Sequence, residues 1–265
     1  MPVAAGPSFT TRWCARLTNS GRLLQAASIL GGLLLWELIA SQYSQFILPP
    51  PTAVLRRLLD PAFDLKLLQA LGGALQHMVL GFGLALALAI PLGVLMGRNP
   101  RLNALLDPVV SAVYAIPAVA FVPFLVIWFG LFFQSRMALV FIMTFPDVLV
   151  VVVAGARDIR RNLLDVGRSF GASRLQLAQK VIIPAMMPFL MTALRVGGAR
   201  AINGMITAEL FLAAVNLGEM MKMSARIFDT AGVLLVVVIV CLLGLIAQSI
   251  INALETRFLH WHLRK

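Results

Sequence analysis

Apolar residues gather in six long runs separated by short polar stretches, approximately Leu23 to Ala40, Leu75 to Met96, Val109 to Phe129, Ala138 to Ala156, Pro188 to Ala213 and Val233 to Ile250. A helix needs about 20 apolar residues to cross a hydrocarbon layer of roughly 30 Å, so each run predicts one transmembrane helix. Pro91, Pro117, Pro123 and Pro146 fall within these runs, and Pro108 lies immediately before the start of the third. Proline removes a backbone donor, and kinked helices are expected. After the first run, LPPPTAVLRRLLD predicts an extended proline segment and then a short helix, with Thr52 as its N-cap and Val54, Leu55, Leu58 and Leu59 as its apolar stripe. Two readings stay open for that helix: an interfacial helix on the outer leaflet, or part of a surface that receives an external partner. Trp36, Tyr43, Trp128 and Phe132 lie near the expected outer ends of runs, where aromatic rings anchor at headgroup level.

The polar stretch between the fourth and fifth runs has its own pattern. Leu163, Val166 and Phe170 recur at three- and four-residue spacing, which puts them on one face of a short helix among Arg160, Arg161 and Arg168. Gly171 follows where a left-handed C-terminal residue is favoured. Ser173 and Gln176 then have the spacing of a capping box that starts a second helix, and Pro184 is expected to end it. The stretch therefore predicts helix, sharp turn, helix. It presents an apolar face either to a partner or to lipid headgroups.

Composition places these elements in a membrane. Of 265 residues, 60% are hydrophobic and 12% charged, and the mean hydropathy is +0.91. The net charge of +11 would suit nucleic acid only if the basic residues lined a soluble face, and they lie between apolar runs instead. With the N-terminus inside, 14 lysines and arginines fall in inner segments and 6 in outer ones, which predicts both termini in the cytoplasm and puts the helix-turn-helix there too. The 18-residue first run is too long for a typical signal-peptide core and reads as a retained span after a basic tail, residues 1–22, leaving residues 23–265 as one membrane domain. Cys14 and Cys241 lie in unlike surroundings without metal-ligand spacing, so neither a disulfide nor a metal is expected.

The fifth run is the most polar. Arg195, Arg200, Asn203, Thr207 and Glu209 sit among small residues, and Gly197/Ala201 and Gly204/Ala208 have the four-residue spacing that permits close helix approach. Ionisable groups at depth must face protein or water. Starting the helix at Pro188 puts Arg200 roughly 18 Å deep. Two readings remain here: Arg200, Asn203, Thr207 and Glu209 line a path for a polar or anionic solute, or Arg200 pairs with Asp147 as a structural bond. His77 and Glu37 read as local structural or interfacial groups.

The stretch Asp165-Val166-Gly167, Gly171, Val181 and Ile183-Pro184 resembles the signature loop of binding-protein-dependent ABC importer permeases, Glu-Ala-Ala, three residues, Gly, nine residues, Ile, one residue, Leu-Pro. GASRLQL is similar to the branch that imports nitrate, taurine and alkanesulfonates. LPPP near Pro49, IPLGVLMGR, AIPAVAFVPFLVIWFG, AEL and FDTAGV extend the resemblance over most of the chain beyond the first run, with a core of about residues 70–255. Asp165 and Gly167 depart from the family pattern, and the glycine costs about 1 kcal/mol of helix propensity against alanine.

The resemblance implies an all-α type I ABC importer permease of six transmembrane helices in a bacterial inner membrane. Its cytoplasmic coupling helix would dock in a groove of a separate ATPase through Leu163, Asp165, Val166, Phe170, Gly171, Ser173 and Arg174. It further implies two ATPase subunits, an external solute-binding protein and a second permease copy, with ATP and Mg bound by the partner. No GxxxxGK[ST] loop or catalytic constellation occurs in the chain, so it is not expected to be an enzyme. An ion-coupled secondary transporter, the alternative, predicts repeated halves with broken helices in matching positions, and no repeat is evident.

Overall fold

A computed structural model describes residues 9–59, 61–212 and 215–258, and within them every regular element is a helix. In chain order they are α1 (Phe9–Ala40), α2 (Pro51–Leu58), α3 (Pro61–Arg98), α4 (Pro100–Ala115), α5 (Val122–Phe129), α6 (Phe133–Asp158), α7 (Arg161–Ser169), α8 (Arg174–Leu177), α9 (Ile183–Ala185), α10 (Met187–Phe211), α11 (Asn216–Arg226) and α12 (Thr230–Phe258). Among the described residues only α3, α6 and α12 are single helices long and apolar enough to cross a bilayer; two further spans are bent pairs. The kinks expected from the prolines are present in both bent pairs. The described apolar part of the first run, Ala26–Ala40, is shorter than a full span.

The third run breaks for a local reason. Ile116 is extended (φ −82°, ψ 126°) because the ring of Pro117 disfavours a helical residue before it. A single 3₁₀ turn, Ala118–Phe121, leads into α5, and the two halves meet at 92°. Pro91 and Pro146, by contrast, are accommodated inside α3 and α6. Pro184 does not end its helix either. The chain passes through a π turn, Ala178–Ile182, and carries on to Ala185, bending by 68° at Met186 into α10. Pro188 lacks the N–H that would donate to the Pro184 carbonyl and hold a straight helix across this join.

The bundle centre is α6, which packs against α3 on one side and α10 on the other. Small residues set the spacing. A Cβ on Gly97 would lie 2.5 Å from the Ala156 Cβ, and one on Gly197 would lie 2.6 Å from Val148 Cγ2. Gly197, Ala201, Gly204 and Ala208 are all buried, as their spacing predicted.

Of three apolar clusters among the described residues, two mark the ends of the molecule and a third, with Leu125, Leu139, Ala208 and Leu212, joins α5, α6 and α10. Met96, Val152, Ala156, Ile159, Leu164, Leu177 and Met186 form one at the α7 end. Val54, Leu67, Ala74, Leu217 and Leu235 belong to the other, at the opposite end, and Trp36 packs on it, so this ring is more than a headgroup anchor. Tyr43, Trp128 and Phe132 are exposed. The N-cap expected at Thr52 falls instead on Pro50, whose side chain caps nothing. Thr52 donates its hydroxyl to Glu37 Oε1 at 2.7 Å and its N–H to Oε2 at 3.3 Å, joining α2 to α1. Arg57 ties α2 to Asp229 at 2.9 Å, and Asp229 in turn accepts the Gly232 N–H that opens α12.

Candidate functional site

α7 is held rigidly at its exit. The Gly171 N–H donates to Arg168 O at 2.8 Å and the Ala172 N–H to Gly167 O at 3.1 Å, the paired bonds of a Schellman motif. Gly171 takes φ +72°, which a β-branched residue resists. Directly beyond, the Ser173 N–H donates to Gln176 Oε1 at 2.8 Å and the Gln176 N–H to Ser173 Oγ at 3.3 Å, a reciprocal capping box. Helix, left-handed residue and new helix follow within a few residues, leaving little freedom at the turn.

The two faces of α7 do different things. Leu164 is buried in the cluster with Leu177 and Met186, and a Cβ on Gly167 would touch Leu177 and Val181 at 3.6 Å. Burying one leucine contributes about 2 kcal/mol. Leu163, Val166 and Phe170 point outward, and Phe170 is 87% exposed. Asp165 spends its carboxylate on Arg168 three residues on, at 3.3 Å, in a fully hydrated pair worth only about 0.3 kcal/mol. Arg174 opens α8, and its side chain lies outside the described residues. The inner anchor, Leu164, went unread in the sequence, although it stands three residues before Gly167 on the same helical face.

The second cluster lies within the spans. Arg200 Nε donates to Asp147 Oδ2 at 3.0 Å, and the Tyr114 hydroxyl donates to Asp147 Oδ1 at 3.2 Å. Arg200 is nevertheless 45% exposed and Asp147 12%. Asn203 is exposed on the same face, and the Thr207 hydroxyl donates to the Asn203 carbonyl at 2.7 Å. Arg195 binds Asn252 of α12 at 3.1 Å. Tyr114 was not anticipated; a lone phenol in an apolar run gives no sign of a partner 33 residues away.

Glu209 does not belong with these residues. It is fully buried on the opposite side of α10, where Oε1 accepts from Asn216 Nδ2 at 3.0 Å and Oε2 from the Gly218 N–H at 3.1 Å. At about 100° per residue, nine residues from Arg200 to Glu209 make about two and a half turns, so helical geometry already puts them on opposite faces. His77 is fully buried beside it, with Nδ1 donating to Gly73 O at 3.0 Å and Nε2 3.9 Å from Glu209 Oε1. The carboxylate pins the chain after α10 to α11. Among the described residues no group of three or more His, Cys, Asp or Glu is gathered as a metal site requires.

Residues 89–260 match the family model described as "Binding-protein-dependent transport system inner membrane component". The taurine transport system permease protein TauC of Escherichia coli (strain K12) is 30% identical over 237 residues, covering 87% of this chain and 86% of that protein. The formylaminopyrimidine transport permease protein ThiX of Halalkalibacterium halodurans is 29% identical, with 86% and 92% covered. The riboflavin transport system permease protein RibX of Chloroflexus aurantiacus is 31% identical, with 86% of each covered. Among solved structures, an inward-facing MetNI methionine ABC transporter superposes with a TM-score of 0.60 at 19% identity, over 73% of this chain and 98% of that one. The fold is therefore that of ABC importer permeases.

Proposed function

The chain belongs to the binding-protein-dependent transport system inner membrane component family, and from that premise we propose how its parts divide the work of an ATP-driven importer. It is a multi-pass permease of the taurine/sulfonate type, and this family membership sets aside the ion-coupled alternative. We infer that α7 docks on an ATPase subunit, two such subunits serving two permease copies. Both termini and α7 then lie in the cytoplasm, and the end carrying α2 and α11 faces an external solute-binding protein. ATP and Mg belong to the ATPase, and this chain hydrolyses nothing.

One observation carries the reading. Phe170, Leu163 and Val166 expose an apolar face on a helix whose other face packs on α8 and the π turn that leads to α10. An unpartnered amphipathic helix of this kind fits a groove on another protein. Closure of the ATPases on ATP would pull α7, and through Leu164 and Met186 the pull reaches α10. Differential affinity of the ATPases for ATP and ADP then biases the permease between its two states.

The exposed polar face of α10 requires cover in a membrane, and a second copy placed against it would enclose a path between the two. The solute is a small polar or anionic organic compound. Copurification tests the docking: a tagged chain carries an ATP-hydrolysing subunit out of membranes, and Phe170→Ala weakens that association at least thirtyfold, in line with loss of a central aromatic anchor. Unchanged recovery of the ATPase with Phe170→Ala would overturn the assignment.

A further inference from the structure

Tyr114, Asp147 and Arg200 come from three helices and meet at one level. Counted at about 1.5 Å per residue from the helix ends nearest α7, they stand about 21 Å along α4, 16 Å along α6 and 20 Å along α10, all close to the middle of the hydrocarbon layer. Asp147 is nearly buried and both of its oxygens are engaged, Oδ1 by the Tyr114 hydroxyl and Oδ2 by Arg200 Nε. This fixes the guanidinium by one edge. A guanidinium has five N–H donors, and the bond to Asp147 uses one. The two terminal nitrogens, on a side chain 45% exposed, present the fork that matches the two oxygens of a carboxylate or sulfonate. Asn203, three residues further on the same face, adds an exposed amide.

A guanidinium facing lipid at this depth is costly, so this face meets either a wet passage or protein. The pairing also suits transit. Asp147 offsets most of the positive charge, so an arriving anion gains two directed hydrogen bonds without the grip of an uncompensated cation, and can leave again.

We propose that Arg200 is a selectivity residue of the passage: its terminal nitrogens take the oxyanion head of a passing carboxylate or sulfonate, with Asp147 and Tyr114 as positioning residues. This rests on the permease reading and adds the place where the anionic head of the solute is sensed.

The test uses the intact transporter in membrane vesicles, in a Cys14→Ser, Cys241→Ser background carrying Asn203→Cys. The introduced thiol is modified with 2-sulfonatoethyl methanethiosulfonate, itself a small sulfonate, and with its cationic trimethylammonioethyl counterpart. Both reagents are expected to react, the anionic one preferentially, and Arg200→Gln lowers the anion-to-cation rate ratio by about tenfold. Excess free ethanesulfonate slows the reaction when Arg200 is present and not in Arg200→Gln. Arg200→Lys, which keeps the charge without the fork, retains the ratio and loses the ethanesulfonate protection. A thiol that neither reagent reaches, a ratio indifferent to Arg200→Gln, or protection that survives Arg200→Lys would each overturn the proposal. Recovery of the ATPase with the tagged chain is measured on the same vesicles, so a failed labelling result with the complex intact condemns the selectivity assignment alone.

Discussion

At the scale of single residues, Gly171 and Gly167 make opposite demands. Gly171 is held at φ +72° with open space where a Cβ would go, so a substitution there is penalised by backbone strain and not by collision. Gly171→Val is expected to abolish solute uptake while the chain still inserts, and Gly171→Asn, which tolerates the left-handed region, to retain most of it; uptake normalised to membrane-inserted protein separates the two. Gly167 has an ordinary helical backbone and room for a methyl group against Leu177 and Val181. Gly167→Ala should stabilise α7 by up to about 1 kcal/mol and raise the melting temperature of the purified complex; a fall would mean that the 3.6 Å contacts are tighter than they look. Gly171 and the Ser173–Gln176 capping box could be read in the sequence because both belong to local patterns. Leu164 could not, since which of two adjacent leucines faces inward depends on what packs beneath them.

Among the elements, the joint between α10 and α11 relies on one carboxylate. Glu209 satisfies the Asn216 amide and the Gly218 N–H, and a Cβ on Gly218 would lie 2.6 Å from the Glu209 backbone carbon. Glu209→Gln turns an acceptor towards one donor and a donor towards the other, and should cost about 1–3 kcal/mol of stability. The expected outcome is a lower melting temperature with unchanged labelling of the α10 polar face; altered anion preference in that variant would put Glu209 back on the path. Composition alone suggested the path, because Glu209 shares a polar helix with Arg200. Angular position along the helix assigns it to the other face, a distinction available in the sequence once residues are counted by turn.

For the whole molecule, hydropathy located the spans of α3, α6 and α12 and the two bent pairs among the described residues, but not their shape. The break at Ile116–Pro117 follows from proline next to a residue it forces out of the helical region, yet its 92° angle depends on how α5 packs back on α6, which no local pattern encodes. Docking is likewise a property of the assembled chain. Since the outward contacts of α7 are apolar and the Asp165–Arg168 pair is internal to the helix, association with the ATPase should change little between low and moderate salt. Loss of the complex at 0.5 M salt in a pull-down would shift the weight of docking to the surrounding arginines.

Under the proposed docking, the 68° corner at Met186 would work as a crank. Because α8 and α9 lie across the axis of α10, a tug on them is delivered as torque and not as thrust along the span. Side chains on α10 reach about 5 Å from its axis, so a turn of only about 20° moves their tips by roughly 2 Å. That would be enough to re-aim the guanidinium of Arg200, and a site reshaped by rotation needs no helix to travel through the membrane.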